Sequence, residues 1–148
     1  MIREFKKGKY VISTDKRKLN IKVIHGFLQN AYWSKGIKIE RVRKAIRNSL
    51  CFGVYEHGHQ IGFARVITDY TNFGYLADVF IIESYRGNGL AKWLMSCIMN
   101  HSELKNIKAW MLATKDAHGL YSQYGFKPID EPQKYMRRIN PKFTQQNL

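Results

Sequence analysis

An apolar run that turns through glycine straight into an amphipathic helix leaves a chain few architectures, and this sequence has one at residues 75–95, YLADVFIIESYRGNGLAKWLM. YLADVFII mixes aromatic and β-branched residues without polar alternation, as expected of a strand buried on both faces. Beyond the turn, Leu90, Leu94, Cys97 and Ile98 recur at helical spacing. The turn therefore joins strand to helix, the mark of an α/β fold. Gly87 and Gly89 bare the backbone N–H groups at the helix start, where unsatisfied donors and the dipole both favour an anion. Arg86 adds a permanent charge with a forked set of donors. On this pattern alone, a phosphate site and a plain tight turn with a solvated arginine both stand.

Known phosphate loops narrow the choice. A P-loop ends in Gly-Lys-Ser/Thr, a tripeptide absent from the chain, and the dinucleotide fingerprint requires glycine where Lys92 stands. What remains is Arg/Gln-x-x-Gly-x-Gly/Ala, met by Arg86, Gly89 and Ala91. Behind an apolar strand, this resembles the acetyl-CoA pyrophosphate loop of the GCN5-related N-acetyltransferases, the GNAT superfamily. A second signature follows: Trp110-Met111-Leu112-Ala113-Thr114, then DAHGLYSQYGF over residues 116–126. It is similar to the family's second motif, a strand, a helix carrying Leu-Tyr, and Gly-Phe. The resemblance covers roughly Ile24 to Arg138 in element order, and only the two motifs match residue by residue. DAHGLYSQYGF further resembles a group of small bacterial-type members.

The rest of the chain fits that frame. KYVIST reads as a strand, LNIKVIHGFLQNAY and IERVRKAIRNSL as amphipathic helices, and CFGVYEHGHQIGFARVITD as a hairpin about His57-Gly58-His59. FGYLADVFII, KAWMLAT and QKYMRRI read as further strands, with helices at GLAKWLMSCIMNHS and AHGLYSQYGF. The order β-αα-ββ-β-α-β-α-β predicts a mixed sheet with helices on both faces, the α/β arrangement of the GNAT fold. Residues 1–148 are expected to form one domain, with about 140–148 a loose tail.

Composition bounds the setting. No apolar run approaches the ~18 residues that span a bilayer, and MIREFKKGKY lacks a signal peptide's apolar centre, so no membrane is expected and the cytoplasm is. Cys51 and Cys97 lie in apolar contexts and read as core residues. With no CxxC pair, no metal is expected. The net charge of +14 raises nucleic acid, a membrane surface or an anionic ligand as partners, and no RNA-recognition motif, helix-turn-helix or zinc finger accompanies it. Coenzyme A, itself polyanionic, would be drawn to such a field, whereas a polycationic acceptor would not. Nucleic acid is not expected, and a small acceptor, or one bearing an anion, is slightly favoured over a protein. Oligomeric state is not legible.

The resemblance implies an N-acetyltransferase that moves the acetyl group of acetyl-CoA directly to an amine. Arg86, Gly87, Asn88, Gly89, Leu90 and Ala91 would hold the pyrophosphate, and the backbone of Val79, Phe80 and Ile81 would run along the pantetheine. Tyr121 occupies the place of the general acid toward sulfur. Thr114 departs from the family's asparagine, which puts one cofactor hydrogen bond in doubt. Trp33 and Ser34 fall where the family builds its acceptor site. Asp78, within the cofactor strand, is a candidate base if burial raises its pKa, and a structural aspartate if it bonds to Arg65. Glu83 and Asp69 are rivals, His118 could share the helical face of Tyr121, and water could relay the proton. Two other readings stay open: a non-catalytic coenzyme A sensor or scaffold, and a basic nucleic-acid-associated protein on the same fold.

Overall fold

The structure, a computed structural model, describes residues 1–143. Six strands form one sheet in chain order: β1 (Glu4–Lys7), β2 (Tyr10–Ser13), β3 (Leu50–Glu56), β4 (His59–Thr68), β5 (Phe73–Ile81) and β6 (Ala109–Met111). The first five pair antiparallel and β6 joins β5 in parallel, so the sheet is mixed. Helices α1 (Ile21–Leu28) and α2 (Ile39–Arg47) follow β2, α3 (Leu90–Met99) follows β5, and α4 (His118–Ser122) follows β6. Ile24, Leu28 and Val42 pack on one face of the sheet with Phe63 and Phe80. Leu90, Leu94, Met95, Ile98 and Tyr121 pack on the other, with Phe52, Val54 and Leu76. Helices therefore lie on both faces, as the sequence predicts.

Local chemistry accounts for the element ends. Asn20 Oδ1 accepts from the N–H groups of Lys22 and Val23, which caps α1. The β3–β4 turn is His57-Gly58, both at positive φ (48° and 79°), the conformation whose twist suits a two-residue hairpin.

Three expectations need correction. β1 forms ahead of KYVIST, the first predicted strand, because Gly8 at φ 59° closes a two-residue turn and pairs Lys7 with Tyr10. α1 stops at Leu28, short of the predicted Tyr32: its end tightens, with the N–H groups of Asn30 and Ala31 bonding to the Phe27 and Leu28 carbonyls, and the Ser34 hydroxyl also donates to the Leu28 carbonyl at 2.7 Å. The predicted last strand, QKYMRRI, is absent. Lys134, Met136 and Arg138 would share one face and Tyr135, Arg137 and Ile139 the other, so neither face is apolar. Met136 is instead 99% exposed, beside a single 3-10 turn at Pro132–Lys134. Of the expected tail, Pro141–Phe143 forms one 3-10 turn, and 144–148 lie outside the described residues.

Candidate active site

Two breaks in sheet regularity open the site. β5 and β6 pair only from Phe73–Ala109 to Tyr75–Met111, while β5 runs on to Ile81 paired with β4 and not with β6. One edge of β5 is thereby left to a cleft. On its other edge, Phe63 pairs with Phe80 and Arg65 with Ala77, so Ala64 faces both Asp78 and Val79. That extra residue is a β-bulge, and Asp78 takes it up at φ 54°. The bulge also resets the alternation: Leu76 and Phe80, four apart, would share a face in a regular strand but join opposite cores.

Asp78 is held from both sides. Its Oδ2 accepts from Arg65 Nε and its Oδ1 from Trp33 Nε1, each at 2.9 Å. Arg65 also donates to the Ser49 hydroxyl at 3.1 Å. Of the two sequence readings of Asp78, the bonded one matches this geometry: the carboxylate braces the bulge and orients Trp33. Asp69 builds a turn, accepting from the backbone N–H groups of Thr71, Asn72 and Phe73, which hold its pKa down to about 2. Neither Glu83 nor His118 lines the cleft.

Beyond β5 the chain enters the glycine loop. Gly87 and Gly89 have φ of 85° and 73°, and a Cβ built on either would meet nothing within 4 Å. These glycines are therefore required by backbone conformation and leave open space in front of them. Trp93 N–H bonds to the Gly89 carbonyl at 3.1 Å, and among the described residues no carbonyl accepts from the N–H groups of Gly87 to Lys92. The Arg86 Nε donates to the Ile81 carbonyl at 3.0 Å, tying the guanidinium to the end of β5. Asn88 Nδ2 donates to the Tyr85 carbonyl. A row of free donors at a helix start, flanked by a tethered arginine, suits a pyrophosphate.

This loop lines a cavity of about 500 Å³ shared with Phe27, Val79, Phe80, Ile81, Leu120 and Tyr121. A second cavity, about 890 Å³, opens on the other side of the bulge, among α2, Arg65, Ala113 and the C-terminal segment. The two meet at Tyr32, Trp33, Val79, Asp116, Ala117 and Tyr121. Tyr121 is only 9% exposed, and among the described residues nothing hydrogen-bonds its hydroxyl. Burial, helped by the nearby Tyr32 and Asp116, pushes its pKa up to about 12. The group is a protonated phenol at neutral pH.

Second contacts fix these parts. Tyr124 O–H donates to the Lys92 carbonyl at 2.7 Å and locks α4 to the start of α3. Thr114 Oγ1 accepts from the Ala117 N–H, so the residue that departs from the family pattern caps the turn into α4. Tyr32 accepts from the Lys115 N–H at 2.9 Å, which closes the α1–α2 loop over the cleft. Trp33 lines both cavities, while the Ser34 hydroxyl, though on the wall, is engaged by the Leu28 carbonyl. Sequence reasoning gave no role to Tyr32, which no motif marks, or to Asp116, which opens DAHGLYSQYGF. Cys51 and Cys97 are buried and unpaired, with thiols pushed up to about 11 chiefly by burial, and neither lines the cleft.

Comparison with known proteins agrees with this geometry. The sequence profile of the acetyltransferase (GNAT) family matches residues 22–126. The chain belongs to the GNAT acetyltransferase family. A GNAT-family protein of Xanthomonas campestris pv. campestris, of known crystal structure, is 44% identical, with a TM-score of 0.87 over 92% of this chain and 96% of its own. Protein FG08082 of Gibberella zeae, to which acetyltransferase activity is ascribed, is 29% identical over 79% of this chain and 78% of its own. A Clostridium acetobutylicum protein crystallised with acetyl-CoA is 17% identical, and at a TM-score of 0.58 over 95% and 96% of the two chains it shares the fold.

Proposed function

We propose that this protein transfers the acetyl group of acetyl-CoA to an amine by direct attack. The observation that carries the reading is the meeting of the two cavities at Val79 and Tyr121, with the free N–H row at the far end of one of them. The fit is chemical as well as spatial. The Gly87–Lys92 donors and Arg86 would take the pyrophosphate, and the unpaired edge of β5 at Val79–Ile81 would offer backbone groups to the pantetheine amides. Bound there, acetyl-CoA supplies a thioester whose C–S bond breaks as a C–N bond forms to the amine.

The chain's own residues do the rest. Tyr121, kept protonated by burial, donates its phenolic proton to the departing sulfur and regains one from solvent through the cleft. The nitrogen's surplus proton leaves to water or to Asp116, a carboxylate on the shared wall with no ion pair among the described residues. No acetyl-enzyme is needed. The only thiols are buried outside the cleft and stay protonated.

The test is a thiol-release screen with acetyl-CoA and a panel of amines, beside calorimetric titration of acetyl-CoA. Binding with turnover of at least one amine supports the proposal. Binding with no turnover of any amine would make the protein a coenzyme A sensor.

A further inference from the structure

The larger cavity carries a charge that acetyl transfer as such does not use. Lys35, Lys38, Arg41, Arg65, Arg137 and Lys142 line it against Asp78 and Asp116, six cations facing two carboxylates. Arg65 and Asp78 neutralise each other in their own ion pair. Five cations and one carboxylate remain, and among the described residues none of the five pairs with an acidic side chain. The five come from three separate stretches: the loop after α1, the start of α2, and the C-terminal segment. That segment is drawn to the same mouth by the Arg41 guanidinium, 4.8 Å from the Phe143 ring centre. Scattered solvated charges would spread over the surface. Like charges gathered on one concave wall repel one another and focus a positive field into it, which favours an anionic occupant.

Coenzyme A's phosphates do not account for this field. The loop proposed to hold them, Arg86 to Ala91, borders the smaller cavity and none of it borders the larger. The wall is also graded. Asp116 stands with Tyr121 where the cavities meet, and the five cations lie on the larger cavity alone. A molecule placed there finds a carboxylate at the reacting end and positive charge at the other.

We propose that the acceptor is a small amine bearing an anionic group, phosphate or carboxylate, at the end remote from its nitrogen. Lys38, Arg41 and Arg137 hold the anion, and the nitrogen is directed past Asp116 to the junction at Val79 and Tyr121. This assignment rests on the acetyl-transfer reading. A space of about 890 Å³ is ample for a small-molecule ligand.

The experiment compares matched pairs in the thiol-release assay at fixed ionic strength: phosphoethanolamine with ethanolamine, an aminosugar phosphate with its parent sugar, and an acidic amino acid with its amide. In at least one pair the anionic member should give a kcat/KM about tenfold or more above the neutral one. The pair that responds separates phosphate from carboxylate. Arg41→Gln and Arg137→Gln should each remove most of that advantage, through KM, while acetyl-CoA affinity by calorimetry stays within about twofold. A second arm needs no turnover: the anionic amines are titrated into the protein saturated with coenzyme A, where they should bind and should weaken in both variants. Neutral amines that turn over as well as their anionic partners in every pair would overturn the assignment, as would acidic peptides outpacing all the small amines. So would anionic amines that fail to bind the coenzyme A complex. Failure of acetyl-CoA itself to bind would overturn the transfer reading instead, so the two failures are distinguishable.

Discussion

Replacing Asp78 by asparagine removes a charge and little else. Asparagine keeps the oxygen that accepts from Trp33 Nε1 and tolerates φ 54°, so neither the indole contact nor the bulge is directly attacked. What is lost is the partner of Arg65. The two side chains are 16% and 13% exposed, so the guanidinium would be stranded with the Ser49 hydroxyl and little water. Breaking a buried pair from one side costs about 3–5 kcal/mol, and the residual water contact brings this to roughly 2–4 kcal/mol. At about 2–4 °C per kcal/mol for a chain of this size, the melting temperature should fall by roughly 5–15 °C. Arg65→Met should cost a similar amount by stranding the carboxylate. The double variant should recover about 1–3 kcal/mol of the summed loss, read from a cycle of thermal or urea melts. Melting of Asp78→Asn within about 1 °C of the parent would refute the brace. An unchanged melt with turnover lowered about 100-fold would make Asp78 a base.

Tyr121→Phe should lower kcat by roughly 10²–10⁴-fold with acetyl-CoA affinity nearly unchanged, because proton donation to sulfur is made only on the way through the transition state. Turnover of the variant at the parent rate would remove Tyr121 from catalysis. His101 gives a pH prediction. It is 1% exposed, its Nδ1 accepts from the Glu103 N–H, and its buried Nε2 has no partner among the described residues. Burial lowers its pKa in the folded chain, so below about pH 6.5 the unfolded chain binds a proton that the native state refuses. Stability should therefore fall as the pH drops from 7 toward 5, with a slope of at most about 1.4 kcal/mol per pH unit from this group. In His101→Phe that slope should be shallower in urea melts, and an identical slope would contradict the assignment.

The glycine loop and the Leu-Tyr helix were legible because they are local. Gly87, Gly89 and Arg86 announce a strand-to-helix turn whose backbone must be bare, and Tyr121 follows from its motif. The helices follow from periodicity, and their placement on both faces from the element order and the arrangement that the family resemblance implies. The bulge at Asp78 was not legible, since it arises when β4 supplies one residue, Ala64, against two on β5. The positive wall was equally hidden. Lys35, Arg41 and Arg137 read as ordinary surface cations until the fold brings three distant segments to one cavity. QKYMRRI misled because its apolar residues, Tyr135, Met136 and Ile139, would be divided between the two faces of a strand, and each face would also carry cations.

The account stands most directly on the N–H row at the start of α3. Calorimetric titration of acetyl-CoA into the parent and into Gly89→Asp tests it. The aspartate places a carboxylate where the phosphate would sit, and Gly89 has open space in front of it, so the fold should survive with a modest penalty for φ 73°. Loss of one charge-assisted contact alone is worth roughly 1.5–3 kcal/mol, about 10–150-fold in affinity, and repulsion adds to it. The parent should bind and the folded variant should show no measurable binding under the same conditions. A folded Gly89→Asp that binds acetyl-CoA as tightly as the parent would contradict the account.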